Sequence, residues 1–135
     1  MNDCIFCKIV KKEIPADIVY ENNDILSFLD INPATMGHVL IIPKEHYENI
    51  FDVPEDVLCK IIRAVKKISL ALHKNNEGVN VVQSNKKVAG QFVDHIHFHV
   101  IPRNLNDGFF LKWPSLKYED GEAGKIAESI KDNLK

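Results

Sequence analysis

The hydrophobic and polar positions of this chain follow two periods, one typical of strands and one typical of a helix. Short apolar or alternating runs bounded by polar turns predict five strands, at residues 18–21, 25–30, 37–44, 78–84 and 94–102. The third run, GHVLIIPK, is apolar almost throughout. We therefore expect both faces of that strand to be covered.

A helical period marks one long segment, from about residue 52 to about residue 74. Asp52 and Pro54 mark its start. A second helix is predicted near residues 124–134. Because the strands come early and late rather than alternating with helices, the pattern predicts an α+β fold, with a five-stranded antiparallel sheet, one long helix and a C-terminal helix. The apolar face of the long helix is expected to consist of Leu58, Ile61, Ile62, Val65, Ile68, Ser69 and Leu72.

The size and composition of the chain fit one soluble domain spanning residues 1–135. The formal net charge of −2 gives no reason to expect nucleic-acid or membrane binding. No apolar run approaches the roughly 20 residues of a membrane span. The first ten residues, MNDCIFCKIV, lack the basic and apolar regions of a signal peptide, and the cysteine content suits a reducing compartment. We therefore expect a cytoplasmic protein.

The stretch HIHFHVIPR places three histidines at alternate positions, His95, His97 and His99. In a strand these rings would share one face at roughly 7 Å spacing. Three interpretations are open: a surface patch, a metal site, or a catalytic imidazole with an orienting and a charge-stabilising neighbour. One zinc ion cannot bind all three rings, because His95 and His99 would lie about 13 Å apart. At least one ring must therefore serve another purpose.

The segment GQFVDHIHFHVIPR resembles the signature of the histidine triad (HIT) family. Three further blocks resemble the family in the same order: CIFCKI, FLDINPATMGHVLIIPKEHY and NDGFFLKW. His99 stands where the related uridylyltransferase branch carries glutamine, which places the chain with the hydrolase-type branches. The N-terminal cysteines resemble those of the bacterial-type zinc-containing branch, close to the histidine triad nucleotide-binding proteins. The resemblance implies a HIT-like fold and a homodimer.

The resemblance also implies an enzyme that cleaves the α-phosphorus bond of purine nucleoside phosphoramidates or adenylated substrates and releases a nucleoside monophosphate. His97 would be the nucleophile, forming a nucleotidyl-imidazole that water then cleaves. His99 would contact the phosphate and assist the leaving group. His38 matches a fourth histidine packed beside the triad, or is simply a core histidine. Two alternatives remain: a dinucleoside polyphosphate hydrolase, and a nucleotide-binding regulator or adaptor with incidental hydrolysis.

Nucleotide-binding positions follow from the same resemblance. Asp30 would accept hydrogen bonds from the ribose hydroxyls, a task suited to a carboxylate. Phe92 stands where many relatives carry a serine or threonine, and Ser84 where an asparagine or glutamine usually positions the phosphate, so the resemblance leaves the rate and the leaving group open. The apolar base walls, which could equally be plain core, and the turn near the phosphate would be formed by Phe6, Ile9, Phe28, Ile31, Gly90 and Gln91.

Cys4 and Cys7 have the spacing of two zinc ligands, but a closed site needs two more donors. In the relatives that carry this pair, the partners are the histidine of the PKEH segment and the first triad histidine, which implies His46 and His95. Such a site would hold a structural Zn²⁺ that fastens the N-terminus to the sheet. Free cysteines are the alternative. Cys59 is interpreted as a small buried residue of the long helix.

Overall fold

A computed structural model describes residues 3–110 and 112–135 of the chain. Adjacent strands are all antiparallel, in the order β1-β2-β3-β5-β4. The α+β prediction, with one long helix and a C-terminal helix, is confirmed. In chain order the elements are α1 (Ile5–Val10), β1 (Ile18–Glu21), β2 (Ile25–Leu29), β3 (Val39–Pro43), α2 (Glu55–His73), β4 (Gly78–Gln83), a 3₁₀ turn (Lys87–Ala89), β5 (Phe98–Arg103) and α3 (Glu122–Asn133).

The sheet is covered on both faces. Helix α2 packs on one face, over a core that includes Ile25, Ile41 and Val100. Helix α1 packs on the other, where Phe6 and Ile9 join side chains of the central strands. Every residue of β3 is buried, as its continuous apolar run predicts.

The triad strand begins later than the sequence predicts. The pattern indicates residues 94–102, whereas β5 runs from Phe98 to Arg103. The residues before it bond elsewhere: the Ile96 N–H donates to the carbonyl of Tyr47 at 2.7 Å instead of joining the ladder. The alternation of faces nevertheless holds, since Ile96 and Phe98 lie in the core beneath α2. The rings of His95 and His97 contact Phe6 on the α1 side.

The helices differ from the sequence prediction in three details. The buried face of α2 includes Ala64 but not Ile62, which is 47% exposed. Cys59 is exposed on α2, so its interpretation as a buried residue is wrong. Helix α1 was not predicted, because six residues are too few to show a helical period.

The C-terminal segment, residues 112–135, is solvent-exposed along its whole length. Its helix α3 begins at Glu122, slightly earlier than predicted, after Gly121 with a φ of +77°. Over the described ranges, no helix combines the length and apolar character needed to cross a bilayer.

Candidate active site

A cavity of about 420 Å³ opens on the α1 side of the sheet. Two of the triad histidines, His97 and His99, line it. Most of the side chains that line the cavity are apolar, and Asp30, His97 and His99 are among its polar lining residues. The segment 14–16, Ile-Pro-Ala, adds a further apolar wall to the cavity. This wall was not predicted, although three apolar residues directly after the charged run KKE indicate a buried segment. The cavity brings together most of the predicted nucleotide-binding residues: Phe6, Ile9, Phe28, Asp30, Ile31, Gly90, His97 and His99.

His97 is held in one tautomer by the backbone carbonyl of His95. Its Nδ1 lies 2.9 Å from the carbonyl oxygen of His95. Because a carbonyl only accepts, Nδ1 carries the proton and Nε2 keeps its lone pair. Burial lowers the pKa of His97, an effect partly opposed by this hydrogen bond and by the charge of Asp30. The ring is therefore neutral at pH 7, as a nucleophile must be.

His38 and His99 form a directed hydrogen-bond chain. The backbone N–H of Ala34 donates to His38 Nδ1 at 3.0 Å, so the proton of neutral His38 lies on Nε2. His38 Nε2 lies 2.9 Å from His99 Nδ1, which must therefore accept. The proton of neutral His99 is consequently on Nε2. Burial, together with the charges of His97 and His38, lowers the pKa of His99 to about 4, so at pH 7 it is a neutral donor.

Asp30 lies directly after β2 and lines the cavity. One carboxylate oxygen accepts the backbone N–H of Asn32 at 2.8 Å. The other lies 3.7 Å from His38 Nε2. The side chain is 19% exposed, so the carboxylate retains acceptor capacity toward a ligand.

The ligand atoms of Asp30, His38 and His99 lie close enough together to hold a metal ion. The hydrogen bonding argues against that role for His38. Its Nδ1 already accepts the Ala34 amide, so metal binding at Nε2 would require a ring with no proton on either nitrogen. The hydrogen bonds therefore make this group an unfavourable metal site.

A second cluster joins Cys4, Cys7, His46 and His95, whose ligand atoms all lie within 4.8 Å of one another. Cys4 Sγ lies 3.4 Å from His95 Nδ1, and Cys7 Sγ lies 3.3 Å from His46 Nδ1. The two Nδ1 atoms are 3.2 Å apart. Zinc bond lengths of about 2.0–2.1 Å to nitrogen and 2.3 Å to sulfur give tetrahedral edges of roughly 3.3–3.8 Å. The observed separations fit a single tetrahedral ion.

The protonation of this cluster also suits a cation. The Nε2–H of His95 donates to the carbonyl of Pro43 at 2.8 Å, which leaves the Nδ1 lone pair facing the thiols. Burial raises the pKa of the Cys7 thiol, and a metal ion would supply the positive charge that a buried thiolate needs. The four residues could therefore hold a metal.

The remaining predicted residues lie around the cavity rather than inside it. Gln91 is fully buried. Its side chain accepts a hydrogen bond from the Lys86 N–H at 2.8 Å and donates one to the carbonyl of Glu48 at 2.6 Å, so it links these two backbone segments. Ser84 does not line the cavity; its Oγ would lie 3.8 Å from a Cβ at Gly90, whose φ is +99°. Ser84 and Gln91 are therefore the two predicted nucleotide-binding residues that do not line the cavity.

These features define a histidine triad protein, with a neutral, tautomer-fixed imidazole facing a nucleotide-sized cavity. The HIT domain model matches residues 11–106, and the chain belongs to this family. The adenosine 5′-monophosphoramidase of Candida albicans is 44% identical, over 97% of this chain and 91% of that protein.

Two solved structures share the architecture. A HIT family member from Bacillus subtilis superposes with a TM-score of 0.92, at 38% identity over 98% of both chains. A zinc-bound histidine triad protein from Mycobacterium smegmatis gives a TM-score of 0.78, at 32% identity over 99% of both chains. The predictions of family, fold and an enzyme of the HIT hydrolase class are confirmed.

Proposed function

We propose that this protein hydrolyses purine nucleoside phosphoramidates and related adenylated substrates, releasing a nucleoside monophosphate through a nucleotidyl-His97 intermediate. The observation that carries the proposal is the hydrogen bond from His97 Nδ1 to the His95 carbonyl, which frees Nε2 for attack. The name of the Candida albicans relative, an adenosine 5′-monophosphoramidase, supports this substrate class.

The cavity suits the parts of such a substrate. The purine would pack against the apolar wall that includes Phe6 and Phe28, whose ring centroids lie 5.5 Å apart in an edge-to-face arrangement. The ribose hydroxyls would bond Asp30. The α-phosphate would then lie beside His97 and His99, which line the same cavity.

In the first step His97 Nε2 attacks the α-phosphorus while the bond from phosphorus to the leaving amine breaks. The amine takes up a proton from solvent. The attacking ring of His97 becomes a cationic nucleotidyl-imidazole. His99 donates a hydrogen bond from Nε2 to the phosphate rather than transferring its proton, because a neutral imidazole that lost it would become an anion.

In the second step a water molecule attacks the phosphorus of the intermediate. The bond from phosphorus to His97 Nε2 breaks, the water's proton is released, and neutral His97 is restored. The proton taken up in the first step balances the proton released in the second. Burial of the ring, which disfavours its cationic form, favours this return to the neutral form.

We also propose that Cys4, Cys7, His46 and His95 hold a structural Zn²⁺. The near-tetrahedral separations support this, as does the zinc-bound relative. A site with four protein ligands leaves no position for water, so the metal would stabilise the N-terminal helix against the sheet. His95 would serve the metal and remain outside the reaction. The free thiols agree with the reducing, cytoplasmic location that we propose.

A homodimer completes the proposal. Helix α3 exposes Ile126, Ile130 and Leu134, and the segment before it exposes Trp113 and Leu116. A 12-residue helix without a packing surface is marginal in water. A second copy would cover these side chains, and light scattering of the purified protein tests this: a monomer mass would contradict it.

A side-by-side substrate panel tests the proposed activity. Adenosine 5′-phosphoramidate, a dinucleoside polyphosphate and an acyl-adenylate are compared by kcat/KM for AMP release. The proposal expects the phosphoramidate to be hydrolysed fastest. Preference for the dinucleoside polyphosphate would identify the alternative enzyme, and binding without turnover of any of the three would indicate a nucleotide-binding regulator.

A further inference from the structure

The turn that joins β2 to β3 is hydrogen-bonded to β5, the strand that carries His99. The Thr35 hydroxyl donates to the carbonyl of Pro102 in β5 at 2.7 Å. Gly37, with a φ of +98°, packs so closely that an added Cβ would lie 3.3 Å from Pro102 Cγ. The turn is therefore seated directly against the strand.

The same turn supplies the hydrogen bond that sets the histidine chain. The Ala34 N–H donates to His38 Nδ1 at 3.0 Å. The His38 N–H in turn donates to the carbonyl of Thr35 at 3.1 Å. Thr35 is half-buried, whereas Ala34 and Met36 on either side are exposed. The Thr35 hydroxyl thus anchors the segment whose amide fixes the tautomer of His38.

We propose that Thr35 is a positioning residue that keeps the His99 proton on Nε2 by holding the Ala34 amide against His38. If this anchor is lost, the Ala34 amide withdraws and His38 can carry its proton on Nδ1. His38 Nε2 then accepts instead of donating, and the His99 proton moves to Nδ1. His99 loses its donor toward the phosphate. The kinetic part of this proposal rests on the proposed function, but the tautomer is a property of the free protein.

Three variants of the zinc-loaded protein test the proposal. Thr35→Val removes the hydroxyl and keeps the side-chain shape, Thr35→Ser keeps the hydroxyl, and Met36→Leu alters an exposed neighbour in the same turn. Loss of one hydrogen bond predicts a roughly two- to tenfold lower kcat for Thr35→Val on adenosine 5′-phosphoramidate, with little change in KM. Thr35→Ser and Met36→Leu should match the wild type.

Two further readouts separate positioning from a merely structural role. Nitrogen-15 NMR of the ligand-free protein should show His99 with its proton on Nε2 in the wild type and a mixture of tautomers in Thr35→Val. In a His99→Gln background, which has no imidazole tautomer to disturb, Thr35→Val should have almost no effect on kcat.

An unchanged His99 tautomer in Thr35→Val would overturn the proposal. So would an equal loss of kcat in the wild-type and His99→Gln backgrounds. If Thr35→Val is less stable, the spectra are recorded below its melting temperature. The His99 tautomer of the folded variant then still tests the proposal. If no variant or wild type turns over the phosphoramidate, the proposed function fails while the tautomer measurement still tests the role of Thr35.

Discussion

Acidification should destabilise the folded protein through His99. Burial and the neighbouring rings of His97 and His38 hold the pKa of His99 at about 4 in the folded state, against an ordinary value of 6.5. As the pH falls below 6.5, the unfolded chain binds a proton at this position before the folded chain does. The stabilising contribution is complete above pH 6.5 and is lost progressively as the pH falls to about 4.

The size of this contribution follows from the difference between the folded and the ordinary pKa of His99. At about 1.4 kcal/mol per pH unit, the shift from 6.5 to about 4 lets acidification remove roughly 3–4 kcal/mol of unfolding free energy through His99 alone. That is a substantial share of the roughly 5–15 kcal/mol typical of a folded domain.

Chemical denaturation at a series of pH values, on the wild type and on His99→Gln, measures this contribution. Both proteins retain the Cys4, Cys7, His46 and His95 cluster, so acid loss of metal affects them alike. We expect the stability of the wild type to fall more steeply below pH 6.5 than that of His99→Gln, with the difference approaching its full value near pH 4. Parallel pH profiles for the two proteins would refute the buried, neutral His99 on which the site depends.

Three other perturbations test separate parts of the site. Asp30→Ala should weaken AMP about tenfold or more but affect 2′,3′-dideoxy-AMP little, by calorimetry; equal losses would assign Asp30 to folding instead. The purified protein should contain about one zinc per chain by elemental analysis. Chelation should lower its melting temperature without stopping turnover below that temperature. Loss of activity in a folded apoprotein would instead assign the metal a catalytic role. Phe92→Ser, at an 80% exposed position, should raise kcat up to about tenfold if the new hydroxyl bonds the phosphate; an unchanged kcat in a folded variant would show that existing donors suffice.

The strands and the long helix could be predicted from local pattern, because the apolar runs of β2 and β3 and the helical period of α2 mark residues that these elements bury. The start of β5 could not, because Ile96 bonds to Tyr47, a residue far away in the chain. Helix α1 was too short to show a period, and it is stabilised by its packing over Phe28 and the triad histidines.

The residues of the candidate site could be named from the resemblance, but their hydrogen bonds could not. The direction of the chain from Ala34 through His38 to His99 depends on how the turn after β2 folds back. Likewise, the sequence offers Gln91 as a ligand contact, and only the structure shows its side chain bonded to Lys86 and Glu48. The bonds from His38 to His99 and from Gln91 to Glu48 join residues 61 and 43 positions apart, so no local period reveals them.

Turnover by His97→Asn tests whether His97 is the nucleophile. The measurement is single-turnover release of AMP from adenosine 5′-phosphoramidate, with the variant in excess and its AMP affinity measured in parallel. An amide nitrogen is a very poor nucleophile, so the variant should bind AMP as the wild type does and release almost none from the substrate. A folded variant that binds AMP and keeps more than a few per cent of the wild-type rate would contradict the covalent mechanism.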